Sequence, residues 1–245
     1  MVATGASFAD LKTALHQQYL LLVHELATKD PHAATDCAGW TVADVETHVA
    51  QTARGLARVA ARAVTGQPDG GGVASWSEKV PTLSGEVDRM VREERGLPLA
   101  PQVDAVDLAL ATYPENTVVE QLTGRHTLKH ATAFRLIEAV IHGLDVGIQP
   151  EGLALRLVVK ELAMALADKH PGRSVEVRIP PYTAVQCLEG PRHTRGTPPN
   201  VVEAQPIAWL RLCAGREPWA DLVRTGRITA SGERSDLSPL MPLLG

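Results

Sequence analysis

Gly39-Trp40-Thr41-Val42-Ala43-Asp44-Val45-Glu46-Thr47-His48 holds the start of a helix and the first residue of a candidate site. Thr41 has the side chain of a helix N-cap, and Asp44, three residues on, can accept from the cap's own N–H. Trp40 before the cap and Val45 after it can pack as a hydrophobic staple. Val42, Val45, Val49, Leu56 and Val59 then recur at helical spacing, which predicts a helix reaching about Val64. His48 falls between Val45 and Val49 and so faces the core. A histidine there needs a partner, and a metal ion is one candidate.

Partner groups lie in Phe134-Arg135-Leu136-Ile137-Glu138-Ala139-Val140-Ile141-His142-Gly143, a proline-free stretch whose apolar residues fit one helix. Glu138 and His142 are four apart and stack on one helical face. A carboxylate is almost never fully buried unless it is paired or bound to metal. Two imidazoles and a carboxylate, with water in the fourth position, make a normal catalytic zinc shell. Two other readings stand beside this one. A core histidine can be satisfied by a hydrogen bond, and Glu138 can pair with Arg135 at i−3 on a solvated face.

Outward from these motifs, residues 8–27 form an amphipathic helix with Leu11, Leu15, Leu22 and Leu26 as its stripe, leaving His16 and His24 half-buried or exposed. Gly66 to Gly72, with Pro68 and four glycines, is a loop. Short helices are expected over Ser84–Arg95 and Val103–Ala111, separated by Pro98 and Pro101. Residues 117–122 fit strand or helix. The last helix of this half runs from about Thr127 to Gly147. Asp145, one turn after His142, can orient that imidazole or lie on the surface. His126 and His130 are expected at the surface near the helix start.

The 245 residues allow one or two domains with a substantial core. A formal charge of −4 leaves no basic footprint for nucleic acid. No apolar run approaches membrane-spanning length, and no secretory signal is visible. These features point to a cytoplasmic protein of unspecified oligomeric state. Cys37, Cys187 and Cys213 are too scattered for a disulfide framework or a zinc finger. A reactive thiol at Cys37 is conceivable, but a small buried hydrophobe is the more ordinary reading.

A GWTV-led helix ending in histidine, followed about ninety residues later by Arg135, Glu138, His142 and Asp145 in an R-x-x-E-x-x-x-H-x-x-D pattern, resembles the mycothiol-dependent maleylpyruvate isomerases. The resemblance covers roughly residues 8–148. It implies a DinB-like four-helix bundle holding a divalent metal, usually zinc, on His48, Glu138 and His142, with mycothiol as the thiol cofactor.

The texture changes in the second half. A helix is expected over 151–170 on Leu155, Val158, Val159, Leu162 and Leu166. Ser174–Ile179 alternates as a half-buried strand, with further strands at Thr183–Leu188, Val201–Glu203 and Ile228–Ser231. Pro206–Ala214 reads as a helix with proline in its first turn. This is an α+β pattern. Trp209-Leu210-Arg211-Leu212, Gly215-Arg216, Trp219, the Gly226–Gly232 segment and Asp236-Leu237-Ser238 resemble the bacterial sterol-carrier-like domains. That resemblance covers roughly 150–245 and implies a curved sheet, helices on one face and an apolar cavity. The expected division is therefore 1–149, a DinB-like metal-binding bundle, and 150–245, a sterol-carrier-like α+β domain.

The polar, proline-rich Glu189–Asn200 stretch gathers Arg192, His193 and Arg195. Arginine forks suit carboxylates and phosphates. These three are the candidate catalytic residues, acting as an anion clamp. Two functions follow. One is a metal- and thiol-dependent isomerase or S-transferase acting on a small electrophilic, carboxylated substrate. The other is a non-catalytic carrier of lipid or another apolar ligand.

Overall fold

The computed structural model describes residues 5–190 and 200–244. The chain splits into two compact units, one spanning Ala6–Leu155 and the other built mainly from Arg156 onward.

In the first unit, α1 (Phe8–Leu26) starts at Ser7, whose hydroxyl accepts the Asp10 N–H at 3.0 Å, and buries Leu11, Leu15, Leu22 and Leu26 as the periodicity predicts. The second helix, α2 (Val42–Ala60), begins with the expected capping box: the Thr41 hydroxyl accepts from Asp44 N–H and the Asp44 carboxylate accepts from Thr41 N–H. It ends four residues before Val64. Then come α3 (Gly72–Lys79), a 3-10 turn at Val80–Leu83, α4 (Ser84–Glu93) and α5 (Ala100–Thr112). Nothing in the periodicity announces α3. Pro101 does not break α5; it occupies the first turn, where a missing N–H leaves no hydrogen bond unmade.

Residues 117–122 resolve as strand. β1 (Val118–Gln121) and β2 (Gly124–Thr127) form an antiparallel hairpin that feeds directly into α6 (Leu128–Asp145). Thr127 caps α6 by accepting the His130 N–H at 3.2 Å. A four-helix bundle results, with α1 packed on α5 and α6, and α2 packed on the same two helices. Phe134, Leu136, Ile137 and Val140 of α6 are fully buried in it.

His126 departs from its expected surface position. It is buried, its Nε2 is 3.1 Å from the Thr123 hydroxyl, and its ring meets Phe134 edge-on at 4.9 Å. His130 is half-buried. The hairpin, which local periodicity did not reveal, is what folds His126 inward.

In the second unit, α7 (Gly152–Lys169) is followed by β3 (Val175–Ile179), β4 (Thr183–Cys187), β5 (Val201–Ala204), α8 (Pro206–Cys213), α9 (Trp219–Arg224) and β6 (Ile228–Ser231). The sheet order is β4-β3-β5-β6. β3 and β5 run parallel and the other pairs antiparallel. Val175, Val177 and Ile179 alternate into the core as the two-residue period requires. Trp209 of α8 is fully buried. Leu243 and Leu244 donate their N–H groups to the Cys213 carbonyl at 2.9 Å, tying the chain's last turn to the end of α8.

Candidate metal centre

The site grows from the start of α2 and the second half of α6. Because Val45 and Val49 are buried, the intervening His48 is carried into the bundle, where it is 7% exposed. Packing of α2 on α6 brings its ring within 4.8 Å of the His142 ring, centroid to centroid and edge-on. Trp40, just before the cap, covers both. Its indole stacks on His142 at 5.7 Å, tilts against His48 at 5.1 Å, and donates from Nε1 to Asp88 Oδ1 at 3.2 Å.

One turn beyond His142, Asp145 is buried and sets its Oδ2 3.0 Å from His142 Nδ1. An ionised carboxylate can only accept, so Nδ1 carries the proton and Nε2 keeps its lone pair. Of the two roles open to Asp145, the structure places it as the orienting partner.

Glu138 lies one turn before His142. Its Oε2 is 2.9 Å from Arg135 Nε, with both side chains largely buried. The expected i−3 pair is thus present, but inside the protein and not on a solvated face. The two atoms meet as charges at an angle that makes no hydrogen bond, so both Arg135 Nε and Glu138 Oε2 are buried without a hydrogen-bond partner. The Tyr19 hydroxyl of α1 is likewise buried without one. Burial pushes the Glu138 carboxyl above its usual pKa, against the opposing pull of Arg135 and His142. Burial also drives His48 well below 6.5, helped by repulsion from His142 and Arg135. His48 is therefore a neutral imidazole at neutral pH.

Among the described residues, one group of three His, Cys, Asp or Glu side chains has donor atoms all within 4.8 Å of one another: Cys37, His142 and Asp145. Of the sequence-expected set, His48 and His142 adjoin, while Glu138 pairs with Arg135, and the three do not form a group of that compactness. Two imidazoles and a carboxylate are the donor types of a three-ligand zinc site. The sequence left a thiol near the metal at Cys37 as the less ordinary reading, and the Cys37 sulfur does lie close to His142. The only signal for it was the position of Cys37 just ahead of the GWTV motif. Arg192, His193 and Arg195 lie outside the described residues.

Fold and site together define a helical bundle with clustered metal-ligand side chains, joined to an α+β domain. The family model of the mycothiol maleylpyruvate isomerase N-terminal domain matches residues 13–147, more than half of the chain, and the protein belongs to that family. A second model, described as a bacterial SCP ortholog, matches residues 152–243. Two solved structures are similar in fold: the mycothiol-dependent maleylpyruvate isomerase (TM-score 0.59, 16% identity) and a histidine-to-alanine mutant of it (TM-score 0.58, 15% identity). Each alignment covers 94% of this chain and 96% of the other. No curated protein matches the chain. No helix among the described residues is long and apolar enough to cross a membrane.

Proposed function

We propose that this protein is a divalent-metal- and thiol-dependent isomerase or S-transferase, with zinc on His48, Glu138 and His142 and mycothiol as the thiol. Its substrate is a small electrophile carrying a carboxylate. The observation that supports the reading is the approach of the His48 and His142 rings on facing helices, with the Glu138 carboxylate one turn before His142. A bound zinc lowers the pKa of a coordinated thiol, so that the thiolate is available at neutral pH.

The chain's own residues prepare that chemistry. Asp145 holds His142 in the Nδ1–H form and aims Nε2. Trp40 shields both imidazoles from water. Arg135 opposes protonation of Glu138 and keeps a negative donor in an apolar interior. Glu138, paired with Arg135 in the metal-free protein, would supply the anionic donor. Arg192, His193 and Arg195 clamp the substrate carboxylate. On this reading residues 1–149 bind the metal and 150–245 form the sterol-carrier-like partner domain. The protein works in the cytoplasm, where thiols stay reduced.

Elemental analysis of protein purified without added metal tests the assignment. Wild type should carry a divalent metal, and His48→Ala should lose it while keeping its far-ultraviolet circular dichroism. Unchanged stoichiometry in that variant refutes the ligand set. The match of residues 152–243 to a bacterial SCP model favours a second reading, a carrier of apolar ligands. Thermal shifts with fatty acyl ligands but none with thiols would select it.

A further inference from the structure

Among the described residues, the compact trio of donor atoms includes a side chain that the proposed zinc set does not use. Cys37 sits on the connection between α1 and α2, and that connection is tightly held at this point. The Thr35 hydroxyl accepts the Cys37 N–H at 3.1 Å and donates to the Cys37 carbonyl at 3.1 Å. The same carbonyl accepts the Trp40 N–H at 3.1 Å. Next door, Asp36 N–H donates to the Asp145 carbonyl at 2.9 Å, which fastens the connection to the end of α6. Backbone bonds on both sides thus hold the Cys37 main chain beside the end of α6.

The spacing suits an ion. Zinc bonds of about 2.0–2.1 Å to nitrogen and 2.0–2.2 Å to oxygen place tetrahedral N and O ligands roughly 3.3 Å apart. His142 Nδ1 and Asp145 Oδ2 are 3.0 Å apart. Every donor pair in the group, sulfur included, is within 4.8 Å, so closing onto one ion takes movements of about 1 Å. Asp145 is buried, while His142 and Cys37 are intermediate, so the carboxylate is held in low dielectric beside donors that solvent can still reach. An open depression of about 390 Å³, lined in part by Thr35, Asp36, Asp145 and Val146, reaches Asp145 of the trio.

We propose that Cys37, His142 and Asp145 form a sulfur-containing site for a thiophilic divalent ion at His142 Nδ1, whose proton passes to Nε2 when the ion enters, so that this site and the His48–Glu138 set are alternative uses of one imidazole. Thiolate, imidazole and carboxylate together favour zinc over the hard cations, which prefer all-oxygen shells. The inference needs neither His48 nor Glu138 as a ligand, so it goes beyond the reading above.

Cobalt(II) titration of the reduced full chain tests it, because a thiolate on cobalt gives a near-ultraviolet charge-transfer band that nitrogen and oxygen ligands do not. Wild type should show the band, and Cys37→Ser should lose it, with cobalt affinity falling on the order of tenfold or more. Asp145→Asn should weaken cobalt binding while keeping the band. Cys187→Ala, at a cysteine outside the group, should keep both. Far-ultraviolet circular dichroism of Cys37→Ser should match wild type; if it does not, the band in Cys37→Ala, compared with Cys187→Ala, decides. Cobalt bound without the band, no cobalt bound, or a band that survives loss of the Cys37 sulfur overturns the proposal. If cobalt binds without the band and His48→Ala releases it, the zinc set stands and the sulfur site falls.

Discussion

Glu138→Gln is the perturbation that separates the two physical states open to the centre of the bundle. In one, Glu138 is ionised and its charge is matched by Arg135, 2.9 Å away. In the other, burial has protonated it and the arginine stands alone. Breaking one partner of a buried ion pair costs about 3–5 kcal/mol, because the survivor stays desolvated and uncompensated. The unit that carries the pair spans Ala6–Leu155, 150 residues. For that size, 1 kcal/mol moves Tm by about 2–4 °C. Glu138→Gln should therefore lower the Tm of metal-free protein by roughly 6–20 °C. Arg135→Met combined with Glu138→Leu should recover most of the loss, since apolar replacement of a buried pair is often neutral or stabilising. The assay is thermal denaturation by circular dichroism in chelator at neutral pH. A Gln variant melting within about 2 °C of wild type would mean that the carboxyl is already neutral, and the case for an anionic metal ligand held ready by Arg135 would fail.

Two further outcomes are expected. Thr41→Ala removes half of the capping box at the start of α2 and should cost about 1 kcal/mol in urea denaturation; no change would mean that tertiary packing alone sets that helix end. Stability should also depend on pH through His126 and His130. Both have folded pKa values held below 6.5, first by burial, then for His126 by Lys79 and His130, and for His130 by Lys129. The unfolded chain then binds more protons as pH falls below 6.5, so the contribution is present above that pH and is lost on acidification. Melts from about pH 7.5 to about pH 5.5 should show falling Tm, with a smaller slope in His126→Gln; an unaltered slope would remove His126 from the account.

Local chemistry in the chain was enough for the helices that matter and for the direction of their key side chains. The Thr41–Asp44 box is a four-residue device, and it formed as read. His48 faces inward because Val45 and Val49 flank it, and Glu138 and His142 share a face because four residues make about one turn. Strands β3 and β6 were legible from the alternation and extent of short segments. Helix α3 and the β1–β2 hairpin were not, since both are short and lack a periodic stripe.

What tertiary structure alone decided is which side chains meet. Cys37 and His142 are about a hundred residues apart, and only the packing of α2 on α6, with the Asp36–Asp145 backbone bond, brings them within reach. The Arg135–Glu138 pair could be read from spacing, but its burial could not. Burial depends on what the neighbouring helices cover, and that turns a weak surface pair into a costly interior one. Periodicity reports which face of a helix is apolar; it carries no information on which residues of other helices lie opposite, because the angle and register of helix packing arise from the fit of the whole core.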